Sequence, residues 1–274
     1  MPDRPAPPAR PAVRLTVGQL RVSDDHAANR ETVRRAIDTA ARAHADLLVL
    51  PEYAAGFDPR GTGPEHAEPL DGPFVTLLRE QAARTGVAVI AGTVLPGDGE
   101  RAVNAVVAVT GDGELVGVYR KVHLYDAFGH RESDRLLPGP ADAPPLVLDV
   151  AGMSVGVITC YDLRFPESAR RVVDAGAQVL VVPAAWAPGP LKEMHWRTLA
   201  TARAIENTVV VAAVGQAGPG TTGRSLVIGP DGETGLELGD QPELRTVDLD
   251  PGLLAQVRQG NPSLANRRYR VVPA

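Results

Sequence analysis

The chain has 274 residues with 28 Lys+Arg against 33 Asp+Glu, a formal net charge of -5, which argues against a dedicated nucleic-acid binder, since those carry a basic excess or stripe. Hydrophobic residues at 44% and charged residues at 22% match a globular protein with a full core, and no apolar run nears the ~18 residues of a membrane span. One cysteine, Cys160, excludes an intramolecular disulfide and a multi-thiolate metal cage; with no apolar segment near the N-terminus, the composition points to the cytoplasm.

Residues 1–12 hold five prolines, which remove backbone donors and predict a disordered tail. A domain is expected over 13–262, followed by a C-terminal tail over 263–274. Val13–Leu20 is β-branched and aliphatic and reads as a strand. Ser23, Asp24 and Asp25 are all N-cap types, and Val33, Ala36, Ile37, Ala40 and Ala41 then recur at helical spacing. Leu47–Leu50 is a short apolar run ending at Pro51 and suits a buried strand. Residues 74–85 predict a helix, and Val87–Val94 a strand. Residues 104–121 predict a hairpin turning at Asp112-Gly113.

The second half repeats this order. Met153–Thr159 predicts a strand, then a helix from Pro166 to Gly176, a strand over Gln178–Pro183, a helix over 193–206 and a strand over Thr208–Val214. The stretches Ala45–Pro51 and Ala177–Pro183 share local text, Ala-Asp-Leu-Leu-Val-Leu-Pro against Ala-Gln-Val-Leu-Val-Val-Pro. Each half reads β-α-β-α-β. Apolar strands separated by helices imply sheets covered by helices. The class is therefore α/β, and two such halves stacked sheet on sheet predict a four-layer α-β-β-α sandwich, one domain with an internal pseudo-duplication. A single doubly wound sheet is the alternative.

Two motifs match only as text. Gly152-Met153-Ser154-Val155-Gly156 has the spacing of a serine nucleophile elbow, but its serine begins a strand instead of ending one. Gly218–Gly223 has dinucleotide-loop spacing, but a strand at Arg224–Ile228 follows, so no helix N-terminus is at hand for a phosphate. The six histidines show no H-x-x-x-H pair, and no metal is expected.

Another set of residues has a consistent chemistry. Glu52, Lys121 and Cys160 each leave the carboxyl end of a predicted strand, where α/β proteins place ligands. Taken singly, each has an ordinary explanation: a loop carboxylate, a snorkelling lysine, a buried thiol. Together they supply what a thiol needs to attack a carbonyl or nitrile carbon. Glu52 can take the proton, and Lys121 can hold thiolate and oxyanion.

The chain resembles the nitrilase superfamily of carbon–nitrogen hydrolases, with their Glu-Lys-Cys triad. Leu50-Pro51-Glu52-Tyr53 is similar to the base segment, Tyr119–Leu124 to the lysine segment and Thr159–Glu167 to the nucleophile segment. Arg131-Glu132-Ser133 is similar to the segment carrying a second active-site glutamate, which implies that Glu132 orients Lys121 or the substrate. Ala202–Asn207 is similar to a further recurring segment, in which Arg203 and Glu206 are read as structural. The wording after the cysteine resembles the Nit amidase branch.

The resemblance implies hydrolysis of a small non-peptide amide to carboxylate and ammonia through a Cys160 thioester, with the Tyr161 backbone N–H as second oxyanion donor and no cofactor. It points to an ω-amidase or deaminated-glutathione-amidase-like enzyme, although Ala184–Pro190 stands where ω-amidases carry a threonine-rich segment. Alternatives are a nitrilase or N-carbamoyl amidohydrolase, or a regulatory scaffold that keeps only the fold. Tyr53, Tyr125, Phe128, Arg164 and Trp186 are the candidate substrate-binding residues. Arg164 either meets a substrate carboxylate or pairs internally with Glu167, Asp162 or Glu132. The expected partners are a small-molecule amide and a second copy of the chain. The segment Asn266–Val272 is the candidate strap of a homodimer or larger homo-oligomer, and neither nucleic acid nor membrane is expected.

Overall fold

A computed structural model describes residues 12–274 of the chain. The expected tail over 1–12 lies, save for residue 12, outside the described residues.

The first half runs β1 (Val13–Gln19), α1 (His26–Arg42), β2 (Leu47–Val49), α2 (Pro73–Thr85), β3 (Ala88–Pro96), β4 (Ala102–Val109) and β5 (Leu115–Arg120). Asp25 caps α1 by accepting from the Ala27 and Ala28 amides. Pro73 opens α2, and Gly86, in left-handed conformation at φ 78°, ends it. The second half runs β6 (Val147–Val150), β7 (Met153–Val157), α3 (Pro166–Asp174), β8 (Val179–Ala184), α4 (Lys192–Asn207), β9 (Val210–Gly215), β10 (Leu226–Ile228), β11 (Thr234–Glu237), β12 (Glu243–Leu249) and α5 (Pro251–Gly260).

The strands form two six-stranded sheets, ordered β12-β1-β2-β3-β4-β5 and β11-β10-β9-β8-β7-β6. In the first, β1, β2 and β3 are parallel, and β12 and β4 flank them antiparallel. In the second, β7, β8 and β9 are parallel, with β6 and β10 antiparallel beside them. The halves therefore share one plan. The similar stretches at Ala45–Pro51 and Ala177–Pro183 form β2 and β8, each third from the corresponding edge.

The two-residue period of a strand separates the layers. Leu47 and Val49 of β2 face inward with Leu15 and Val17, and meet Val155, Val157, Val179 and Val181 of the other sheet. Leu48 and Leu50 face outward onto Val33 and Ile37 of α1 and Phe74 and Leu78 of α2. On the far side Leu180 and Val182 meet Val172 of α3 and Trp196 and Ala200 of α4. This is a four-layer α-β-β-α sandwich, and the single doubly wound sheet is excluded.

Edge strands β6, β11 and β12 and helix α5 go beyond the elements expected from sequence. β12, at the end of the second half, crosses to pair with β1 of the first-half sheet, Leu15 opposite Val247. Its sequence, ELRTVDL, is charged and only partly buried, as edge strands often are, so its apolar signal is weak. Past Gly260 the chain has no further helix or strand, although Arg267 pairs with Asp174 at 2.6 Å. Val271–Ala274 lie along a cavity of about 520 Å³ that they line with Tyr119, His123 and Arg171.

Candidate active site

Glu52 follows β2 in a turn that lies across β3. A Cβ at Gly92 of β3 would come within 2.5 Å of the Glu52 Cα and the Tyr53 N, so a glycine at 92 lets the turn sit this close. Tyr53, at φ 60°, completes the turn. Lys121 follows β5, and its amide donates to the Asn104 carbonyl at 2.9 Å. Cys160 follows β7 and opens a short 3₁₀ turn, Cys160–Arg164, ahead of α3. Its φ of 46° marks a tight elbow between β7 and α3.

The elbow is held from behind. Asp162, fully buried, accepts at Oδ1 from the His123 amide and ring at 3.0 and 2.7 Å, and at Oδ2 from Tyr119 Oη and the Thr159 amide at 2.7 and 3.1 Å. These bonds join the lysine segment to the nucleophile segment. Arg203, expected to be structural, donates twice to the Leu163 carbonyl and pairs with Glu206 at 3.0 Å.

Around the thiol the charges interlock. Lys121 Nζ lies 3.0 Å from Glu52 Oε1 and 2.8 Å from Glu132 Oε2. Glu52 Oε1 also accepts from Asn104 Nδ2 at 2.7 Å, and its Oε2 from the Ala185 amide at 2.7 Å. Glu132 accepts from Tyr53 Oη at 2.5 Å and from the Tyr125 amide at 2.6 Å. Burial works against the charge on Lys121, but Glu132 and Glu52 outweigh it and hold the ammonium well above the usual lysine range. Burial likewise opposes ionisation of Glu132, yet Lys121 and the donors around it keep its carboxyl below the usual range. Burial and then the Glu52 carboxylate push the Cys160 thiol up, with Lys121 pulling the other way. Cys160 thus rests as a thiol beside the Glu52 carboxylate.

Of the residues singled out from sequence, Glu52, Tyr53, Lys121, Tyr125, Glu132 and Cys160 line one cavity of about 190 Å³. Tyr161, Phe128, Arg164 and Trp186 form an adjoining cluster beside that wall. Tyr161 packs edge-on to Tyr125 at 5.1 Å, and the Arg164 guanidinium lies over Trp186, Phe128 and Tyr161. The Tyr161 amide sits in the first turn of the 3₁₀ segment, where N–H groups lack intrahelical partners. Arg164 forms none of the three ion pairs considered from sequence: Asp162 and Glu132 have the partners just described, and Glu167 forms no salt bridge with it.

Sequence reasoning missed Asn104, the Ala185 amide and Lys192. Asn104 had a signal, a fully buried amide within the apolar run AVNAVVAV. Lys192 had none. The text-only motifs take no part as motifs: Ser154 lies within β7, and the 218–223 loop leads into β10. Among the described residues no cluster of three His, Cys, Asp or Glu side chains is placed to hold a metal ion, and no helix is long and apolar enough to cross a membrane.

The carbon–nitrogen hydrolase family model matches residues 14–259. The chain is 39% identical to the deaminated glutathione amidase of Escherichia coli O157:H7 over 257 residues, 93% of this chain and 97% of that protein. Among solved structures it resembles XC1258 from Xanthomonas campestris, a CN-hydrolase superfamily protein with an arsenic adduct in the active site. The TM-score there is 0.83 at 29% identity, covering 96% of this chain and 99% of that one. It also resembles a variant of the amidase from Nesterenkonia sp. AN1 that shows Michael addition of acrylamide at the active site cysteine. That match has a TM-score of 0.76 at 29% identity and covers 90% and 97% of the two chains.

Proposed function

This chain belongs to the carbon–nitrogen hydrolase family and is an amidase acting on carbon–nitrogen bonds other than peptide bonds, and we propose that Glu52, Lys121 and Cys160 carry its chemistry on a small amide bearing a distal carboxylate. The observation that carries this reading is the Lys121 ammonium held between two carboxylates in the cavity that contains the only thiol.

As Cys160 Sγ attacks the amide carbon, its proton passes to Glu52 and a C–S bond forms. Lys121 Nζ and the Tyr161 N–H take the oxyanion. The tetrahedral adduct collapses, the C–N bond breaks, and Glu52 returns the proton to departing ammonia. A water then gives a proton to Glu52 and attacks the thioester carbon. The C–S bond breaks, Glu52 returns that proton to the sulfur, and the product acid releases its remaining proton to solvent, leaving carboxylate and thiol. Glu132, itself fixed by Tyr53 and the Tyr125 amide, keeps Lys121 in place.

Arg164 supports an anionic substrate, because no carboxylate among the described residues pairs with it and its guanidinium fork suits one. The relative named deaminated glutathione amidase supports the same branch of amide chemistry. We further read the chain as a cytoplasmic homodimer: its lone cysteine suits a reducing compartment, and Tyr269, 91% exposed, offers a partner an aromatic anchor. The test is ammonia release from a panel of small amides, with nitriles and N-carbamoyl compounds alongside and Cys160→Ala as blank. Turnover of anionic amides above the blank supports the reading, and turnover confined to nitriles or carbamoyl compounds overturns it.

A further inference from the structure

Lys192 opens α4, and only 4% of its surface is exposed. Its Nζ donates to Tyr125 Oη at 2.8 Å and lies 4.6 to 4.9 Å from the ring centroids of Tyr125, Phe128 and Trp186. The Arg164 guanidinium stands over two of the same rings, 5.4 Å from Phe128 and 4.9 Å from Trp186. Two cations thus share one aromatic box. Its other side is Tyr125, which also lines the cavity holding Cys160.

Neither cation has a carboxylate partner among the described residues. Arg164 Nε is buried without any hydrogen-bond partner, and Nη2 reaches only His195 Nδ1 at 3.5 Å. The arginines on the rim of the catalytic cavity differ: Arg60 pairs with Asp58, Arg131 with Asp134 and Arg135 with Glu65. Like charges placed together out of water repel and lose hydration, and a bound anion relieves both costs. The formal charges agree. Glu52 and Glu132 exceed Lys121 by one negative charge, Lys192 and Arg164 turn the balance to one positive, and one carboxylate makes the site neutral.

We propose that Lys192 and Arg164 form a two-cation subsite for the substrate carboxylate remote from the scissile amide, and that Lys192 sets the preference for anionic over neutral amides. The proposal rests on the amidase reading above and adds a specificity residue to it. The aromatic box supports it by holding the ammonium through cation–π contacts while no anion is bound. Burial, and then Arg164, lower Lys192 to about 8. The groups facing it are Tyr125, Arg164 and Cys160. On its own helix Glu193 is engaged with Arg224, and His195 faces Arg164.

The test compares kcat and KM for the monoamide of a short dicarboxylic acid and for a neutral amide of equal length, in the wild type, Lys192→Met and Lys192→Arg. Lys192→Met is expected to raise KM tenfold or more for the anionic amide and less than threefold for the neutral one, and Lys192→Arg to recover most of the difference. The wild-type preference for the anionic amide is also expected to fall as pH rises through about 8, a readout that survives a variant that fails to fold. Equal losses on both substrates in Lys192→Met, or a wild-type preference that does not change through that pH range, overturn the subsite and leave the amidase reading standing. No turnover of either amide removes the amidase reading itself, and the subsite with it.

Discussion

Asn104 Nδ2 donates to Glu52 Oε1 at 2.7 Å from the third residue of β4, a strand otherwise wholly apolar. The bond aims one oxygen of the Glu52 carboxylate and leaves Oε2 to the Ala185 amide. A hydrogen bond to a charged group contributes about 1.5–3 kcal/mol. Asn104→Ala is therefore expected to lower kcat about tenfold or more with KM within about threefold. Asn104→Asp, which keeps the shape but adds a third carboxylate, should lose more than the alanine variant. Steady-state kinetics on both variants check the order, and a milder Asp variant would mean that Asn104 only fills space.

Cys160→Ala removes the only thiol and is expected to abolish ammonia release while circular dichroism stays that of the wild type. Glu52→Gln keeps the shape of the base but cannot shuttle a proton. Intact-mass spectrometry after mixing with substrate should then find either no reaction or an acyl adduct on Cys160. Wild-type turnover in either variant ends the mechanism.

Lys121 is 1% exposed, and its loss would strand the buried Glu52 carboxylate and the half-buried Glu132 carboxylate. Lys121→Met should lower the rate by about 10²–10³ and destabilise the fold by about 3–5 kcal/mol. Adding Glu132→Gln should restore part of the stability and none of the activity. Chemical denaturation and kinetics on the single and double variants separate the two roles.

The thiol has opposing neighbours, Glu52 pushing its ionisation up and Lys121 drawing it down. The pH at which Cys160 becomes open to alkylation should therefore fall in Glu52→Gln and rise in Lys121→Met. Iodoacetamide labelling rates across pH test both signs. A shift in the same direction for both variants would contradict the electrostatic account.

Asp162 gathers four donors behind Cys160. Asp162→Ala would leave them unpaired in the core and is expected to cost about 3 kcal/mol or more, lowering thermal stability and kcat together. Asp162→Asn should fall between the alanine variant and wild type, as read by thermal melts and kinetics.

Much of this was legible in the residues alone. Strand and helix periodicity, the N-cap types up to Asp25, Pro166 at a helix start and the similar stretches forming β2 and β8 are local signals, because a strand or helix shows its apolar face in its own spacing. The candidate triad was legible for the same reason: Glu52, Lys121 and Cys160 each end an apolar strand, and strand ends are where these folds place their chemistry. Other relations depended on the tertiary structure. Pairing of β12 with β1 depends on chain crossing between halves, and its charged edge carries little periodicity. Asn104 reaches Glu52 only because β4 lies beside β3 and the Pro51–Tyr53 turn rests over Gly92. Lys192 shares an aromatic box with Arg164 only because α4 packs beside the 3₁₀ turn that follows Cys160. Where a long side chain ends, and whether a carboxylate meets it there, is set by packing across the two halves, and the spacing of residues along one chain does not encode it.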